Sequence, residues 1–109
     1  MRILLDECVN AGVRAAFPKH PVRTVAEMGW QSRKDPELLL DAERSFDVFV
    51  TIDRKIELQQ DLTRFRLGFV IARVRSNLIA EFLPIFEQLR EAAEKVKPGE
   101  IIQVSALSL

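Results

Sequence analysis

Two apolar runs in this chain end on carboxylates. Ile3-Leu4-Leu5 leads straight into Asp6 and Glu7, and Val48-Phe49-Val50 leads through Thr51 and Ile52 to Asp53. Such runs read as strands buried on both faces, and a covered strand end is an expensive place for an unpaired charge. Asp35 and Glu37 stand in the first turn of a predicted helix that feeds the second of these runs. In an open α/β sheet the parallel strands finish at one edge, where ligands bind at the switch point between the two halves. If the two strands are neighbours, Asp6 and Asp53 come within ~5–10 Å of one another. Crowded carboxylates raise one another's pKa unless a cation neutralises them. Oxygen donors without His or Cys suit Mg²⁺ or Mn²⁺, and an ion held that way activates water and orients a phosphate for in-line displacement.

Each acid also has a structural reading. Glu7 can be a solvated neighbour of Asp6, Asp35 an N-cap with Pro36 behind it, Glu37 a complement to the helix dipole, and Asp53 the cap of a short helix. Asp41 and Glu43 read as solvent-facing. Asp6 has no comparable alternative. Arg73 and Arg75 follow a later strand at the same edge, and alternation aims both to one side if the chain stays extended. They read either as a clamp on a phosphodiester or as counter-ions to Asp6 and Asp53. Arg54, Lys55, Arg64 and Arg66 read as a solvated basic face.

The elements that must position these groups alternate along the chain. Strands are expected at residues 2–5, 22–25, 47–51, 67–72 and 101–104, with short helices at 11–17 and 55–60 and a loop at 27–34. A helix is expected from Asp35 to about Arg44, and a longer one from Leu78 that Pro84 kinks and Lys97-Pro98-Gly99 ends. The order β-α-β-α-β-α-β-α-β implies a single α/β domain over 1–109, a three-layer sandwich with a mostly parallel five-stranded sheet and helices on both faces.

Composition bounds the chemistry. With 109 residues, 48% apolar and 29% charged, the chain can build one core without metal or disulfide staples. Cys8 and His20 are each the only residue of their type, which leaves no zinc spacing and disfavours His-based triads. The 16 basic and 16 acidic residues balance, so nucleic-acid affinity would need a local patch. No apolar run approaches the ~18 residues of a membrane span, and Asp6 and Glu7 interrupt any leader-like segment. The expected location is cytoplasmic, with no membrane partner.

Three motifs and their order resemble a known family. Leu4-Leu5-Asp6-Glu7, Lys34-Asp35-Pro36-Glu37-Leu38-Leu39 and Val50-Thr51-Ile52-Asp53 are similar to the motifs of the compact single-domain branch of the PIN-like nucleases, related to VapC-type toxin ribonucleases. The Arg73-Val74-Arg75-Ser76 run, the helix after it and Pro98-Gly99-Glu100 extend the likeness over nearly the whole chain. The resemblance implies a Rossmann-like sheet of order 3-2-1-4-5 and Mg²⁺- or Mn²⁺-dependent endonucleolytic cleavage of RNA, often as the toxin of a toxin–antitoxin pair. It implies Asp6, Asp35 and Asp53 as catalytic and metal-binding acids, with Glu7 and Glu37 as further ligands and Thr51 as an orienting hydroxyl. Arg73, Arg75 and Lys55 would contact RNA, and the partners would be RNA, an antitoxin protein and a second copy in a homodimer. Two positions depart from the pattern. The family commonly carries a second Asp after T-x-D, where this chain has Lys55, and an Asn after LLDE, where it has Cys8. A missing acid weakens metal affinity, which opens the alternative of a catalytically impaired PIN-like interaction module. A receiver-like phosphoacceptor domain is disfavoured because the fourth strand ends Ala72-Arg73 where Thr or Ser is needed and the last strand has no Lys. A dinucleotide-binding domain is disfavoured because Glu7-Cys8-Val9-Asn10 holds no glycine.

Overall fold

The computed structural model describes residues 1–107. Five parallel strands form one sheet: β1 Ile3–Leu5, β2 Val22–Thr24, β3 Val48–Thr51, β4 Gly68–Arg73 and β5 Ile101–Ser105. The α-helices are α1 Asp35–Ala42, α2 Ile56–Gln59, α3 Ile79–Phe82 and α4 Phe86–Lys95, with 3-10 turns at Ala11–Ala16, Leu62–Arg64 and Leu83–Ile85. Pro84 has the effect expected of it, since the 3-10 turn that contains it separates α3 from α4.

The α/β three-layer architecture is as the sequence implies, but the strand order is not. It is β2-β1-β3-β4-β5, with β3 inserted beside β1, in place of 3-2-1-4-5. Burial explains the difference. All four residues of β3 are buried, including Phe49 and Val50 at 0% exposure, so β3 needs a neighbour on each side. β2 exposes Arg23 between Val22 and Thr24 and tolerates the edge. The order makes β1 and β3 neighbours, Leu5 opposite Val50, and puts the switch point between them.

Each face of the sheet carries its own apolar layer. Ile3, Leu5, Val48, Val50, Val70 and Ala72 meet the first 3-10 turn and α3–α4 on one face. Leu4, Phe49, Phe69 and Ile71 meet α1, α2 and the 3-10 turn after it on the other. The β3-to-β4 and β4-to-β5 connections step in the same direction yet cover opposite faces, so they have opposite hands, against the usual uniformity of such crossovers. On the α1–α2 face, β5 is consequently open: Gln103 and Ser105 are exposed.

β4 approaches the end of α4 at Gly68, where a Cβ would lie 2.5 Å from Val96 Cγ1. Gly68→Ala should therefore cost about 1–3 kcal/mol of stability through overpacking. Val96→Ala in the same chain should recover part of that loss, a coupling readable by urea unfolding of the two single variants and the double variant.

Candidate functional site

Alternation fixes which side chains meet. Asp6 follows Leu4 by two residues, Thr51 and Asp53 follow Phe49 by two and four, and Arg73 follows Ile71 by two, so all four lie on the α1–α2 face. Asp6 N donates to Val50 O at 2.9 Å, which carries the β1–β3 ladder one residue further and sets Asp6 beside Thr51.

Thr51 is fully buried and its hydroxyl joins two of the acids. Thr51 Oγ1 donates to Asp6 Oδ2 at 2.8 Å and accepts from the Asp53 backbone N at 3.0 Å. The Cys8 thiol donates to the same Asp6 oxygen at 3.4 Å, and Glu7 N donates to Asp6 Oδ1 at 2.8 Å. Burial nevertheless wins and raises the Asp6 pKa above 3.8, with the Thr51, Cys8 and Glu7 hydrogen bonds opposing it. Burial and the Asp6 charge raise the Cys8 thiol as well. Asp53 spends Oδ1 on Lys55 N at 2.9 Å, which forms the turn into α2.

Asp35 differs from its sequence reading. The N-cap of α1 is Lys34 and makes no side-chain capping bond, while Asp35 is the first helical residue. The capping explanation therefore fails, and the Asp35 carboxylate is left facing the strand edge. Burial and the negative charges of Asp6 and Asp53 raise its pKa above 3.8. What holds α1 there is the preceding loop. Trp30 meets Phe46 edge-on with ring centroids 6.2 Å apart, and the Arg33 guanidinium lies 5.5 Å from the Trp30 ring centre while pairing with Asp41. Glu7 Oε1 accepts from Ser32 N at 3.2 Å, at a residue with φ of 65°. Glu7 thus fastens the loop that presents Asp35, a role that its sequence context did not reveal. Glu37 is exposed on α1.

The structure brings Asp6, Asp35, Asp53 and Thr51 to one edge, but the acids stop short of a formed ligand shell. Among the described residues no three His, Cys, Asp or Glu side chains stand close enough to hold a metal ion. The basic residues do not neutralise the acids either. The ion pairs among the described residues are Arg14–Glu27, His20–Glu94, Arg33–Asp41 and Arg66–Glu43, which removes the counter-ion reading of Arg73 and Arg75. It also corrects the reading of Asp41 and Glu43 as merely solvent-facing. Arg73 Nε is buried without a hydrogen-bond partner, an uncommon state for a charged donor. Arg75 and Lys55 are exposed.

Two predictions follow from these contacts. Thr51→Val should cost about 1–3 kcal/mol, because the Asp53 N–H and the Asp6 carboxylate both lose a partner. It should also push the Asp6 pKa further up, readable by carboxyl NMR titration, whereas Thr51→Ser should change little. Asp35 binds its proton more tightly in the folded state, so its contribution to stability falls as pH rises from about 3.8 through its raised folded value. Asp35→Asn should accordingly raise Tm at pH 7 by about 1–3 °C in metal-free protein. The gain should vanish near pH 3, where both states are protonated.

Among the described residues no helix is long and apolar enough to cross a membrane. Comparison of the chain with protein-family models, with curated proteins and with solved structures found no match in any of the three.

Proposed function

We propose that this chain is a metal-dependent endoribonuclease of the PIN-like kind, the toxin component of a toxin–antitoxin pair. The observation that carries the reading is the meeting of three acids without cationic partners at the β1–β3 switch point, where Asp35 feels the charges of Asp6 and Asp53. The donors suit a hard divalent cation in type, though the carboxylates would have to draw together to hold one: the oxygens are carboxylates, and neither Asp35 nor Asp53 Oδ2 is committed to a hydrogen bond among the described residues. Asp6, Asp35 and Asp53 would hold Mg²⁺ or Mn²⁺, which when bound polarises the phosphoryl oxygen and acidifies water.

The chain's own groups do the remaining work. Thr51 holds the Asp6 carboxylate and the Asp53 backbone in fixed relation. The buried Nε of Arg73 gains a partner from a phosphate oxygen, and the exposed Arg75 and Lys55 add charge for the flanking backbone. Water attacks phosphorus, one P–O ester bond breaks, and the leaving oxygen takes a proton.

The wide spacing of the acids favours a second reading, an impaired PIN-like module kept for binding a protein partner. Lys55 stands where the resembled family has an acid, and its charge opposes a cation. Calorimetric titration of Mn²⁺ and Mg²⁺ into metal-free protein separates the two readings. The nuclease reading expects binding that is lost in Asp6→Asn and in Asp53→Asn and strengthened in Lys55→Asp, with RNA cleavage following the same order. No binding at millimolar metal in the wild type, together with binding in Lys55→Asp, would establish the impaired module.

A further inference from the structure

Beside the acid edge, on the same face, lies a cavity of about 350 Å³ lined by Pro36, Leu40, Gln60, Asp61, Arg64 and Phe65. Its walls are the continuations of the elements that present the acids. Pro36 follows Asp35 on α1, and Gln60 and Asp61 follow α2, which begins three residues after Asp53. Leu40 is five residues beyond Asp35, about 7.5 Å along the helix axis. The cavity therefore opens one residue from Asp35 and runs down the α1–α2 face away from the acids, toward the turn in which Thr63 lies against Gly99 ahead of β5.

Its lining combines a flat apolar surface with few polar groups. Phe65 is half-buried and presents an aromatic ring, while Pro36 and Leu40 supply the opposite apolar wall. Asp61 Oδ1 is committed to the turn that follows, accepting from Thr63 N at 3.2 Å and from Thr63 Oγ1 at 2.5 Å. Asp61 Oδ2, the Gln60 amide and the Arg64 guanidinium have no partner within the chain among the described residues. A small cavity with an apolar body and convergent polar groups is the usual form of a small-ligand site, and a ring beside an arginine is the usual form of a base-stacking one.

We propose that this cavity is a nucleobase subsite for a nucleotide flanking the scissile one, and that it prefers guanine. A carboxylate accepts from the adjacent N1–H and N2–H donors of guanine, and an arginine donates to its O6 and N7 acceptors. No other common base offers that pairing of donors and acceptors to one acid and one arginine. The inference rests on the nucleic-acid reading of the neighbouring site but not on metal binding or cleavage.

The test uses the full-length Asp6→Asn protein, metal-free, so that base binding is measured apart from hydrolysis. GMP, AMP, CMP, UMP and base-free ribose 5-phosphate are titrated and followed by amide chemical shifts. The expected result is shifts at Leu40, Gln60, Asp61, Arg64 and Phe65, with GMP binding tightest and ribose 5-phosphate leaving these residues unmoved. Asp61→Asn keeps the acceptor needed by Thr63 and should weaken GMP about tenfold while changing UMP little. Phe65→Leu should weaken all four nucleotides. Equal shifts with all five probes, or shifts confined to Arg73 and Arg75, would overturn the subsite and leave the nuclease reading standing. Concentration-dependent broadening at Leu40 and Leu58, without nucleotide shifts, would overturn it in favour of a protein-contact surface. Base-selective binding in a chain that cleaves no RNA would retain the subsite and retire the hydrolase.

Discussion

A carboxylate placed at the closed end of a parallel sheet has to be satisfied by its surroundings, and here one buried hydroxyl satisfies Asp6 while it anchors the backbone of a second acid, Asp53. Thr51 donates to Asp6 and accepts from the backbone of Asp53, so the ends of β1 and β3 are tied through a single oxygen. The tie requires adjacent strands in the register that sets Leu5 opposite Val50. It also requires α1 and α2 to cover that face, since an exposed threonine hydroxyl would donate to water in competition with Asp6. Sheet order, helix placement and the acid edge are thus one constraint expressed at three levels. Burial still raises the Asp6 pKa despite three donors, so the edge carries residual electrostatic cost rather than a neutralised cluster.

The allocation of helices to faces decides what can reach that edge. α3 and α4 leave the α1–α2 face after β4 and pack with the first 3-10 turn. The departure bares Gln103 and Ser105 on β5, next to Arg73 on β4. A crossover of the same hand as the preceding one would have laid a helix over this ground. Among the described residues only a hydrogen bond crosses it: Gln103 Nε2 donates to Glu57 Oε1 on α2 at 2.8 Å. On the other flank, the loop before α1 is fastened by Glu7, Trp30 and Arg33.

How much of this the sequence discloses varies from residue to residue for physical reasons. The central strands are legible because Ile3-Leu4-Leu5 and Val48-Phe49-Val50 are apolar without alternation, which only burial on both faces produces. The break at Pro84 is legible because it is local chemistry. Strand order is non-local, yet it left a trace: Arg23 in the middle of β2 marks an edge strand, whereas β3 has no charge to expose. Asp35 was ambiguous because Asp-Pro suits both an N-cap with N1 proline and an N1 acid with N2 proline. The choice depends on how the loop delivers the chain, which contacts far apart in sequence decide. The contact of Glu7 with Ser32 spans 25 residues and has no pattern to announce it.

The separation of the acids bears on what kind of site this is. Carboxylates near one another repel unless a proton or a cation relieves them. The acids here are near enough for Asp35 to register the other two, yet no ion pair among the described residues relieves them. The buried Arg73 Nε is equally unrelieved on the same face. Continuing the β3–β4 register by two residues sets Asp53 beside Arg73, but the two form no salt bridge. On the proposed nuclease reading a cation would relieve the acids and a phosphate oxygen the arginine. A metal-bound phosphodiester would supply both at once, whereas a protein partner would have to present a basic and an acidic group at the same edge.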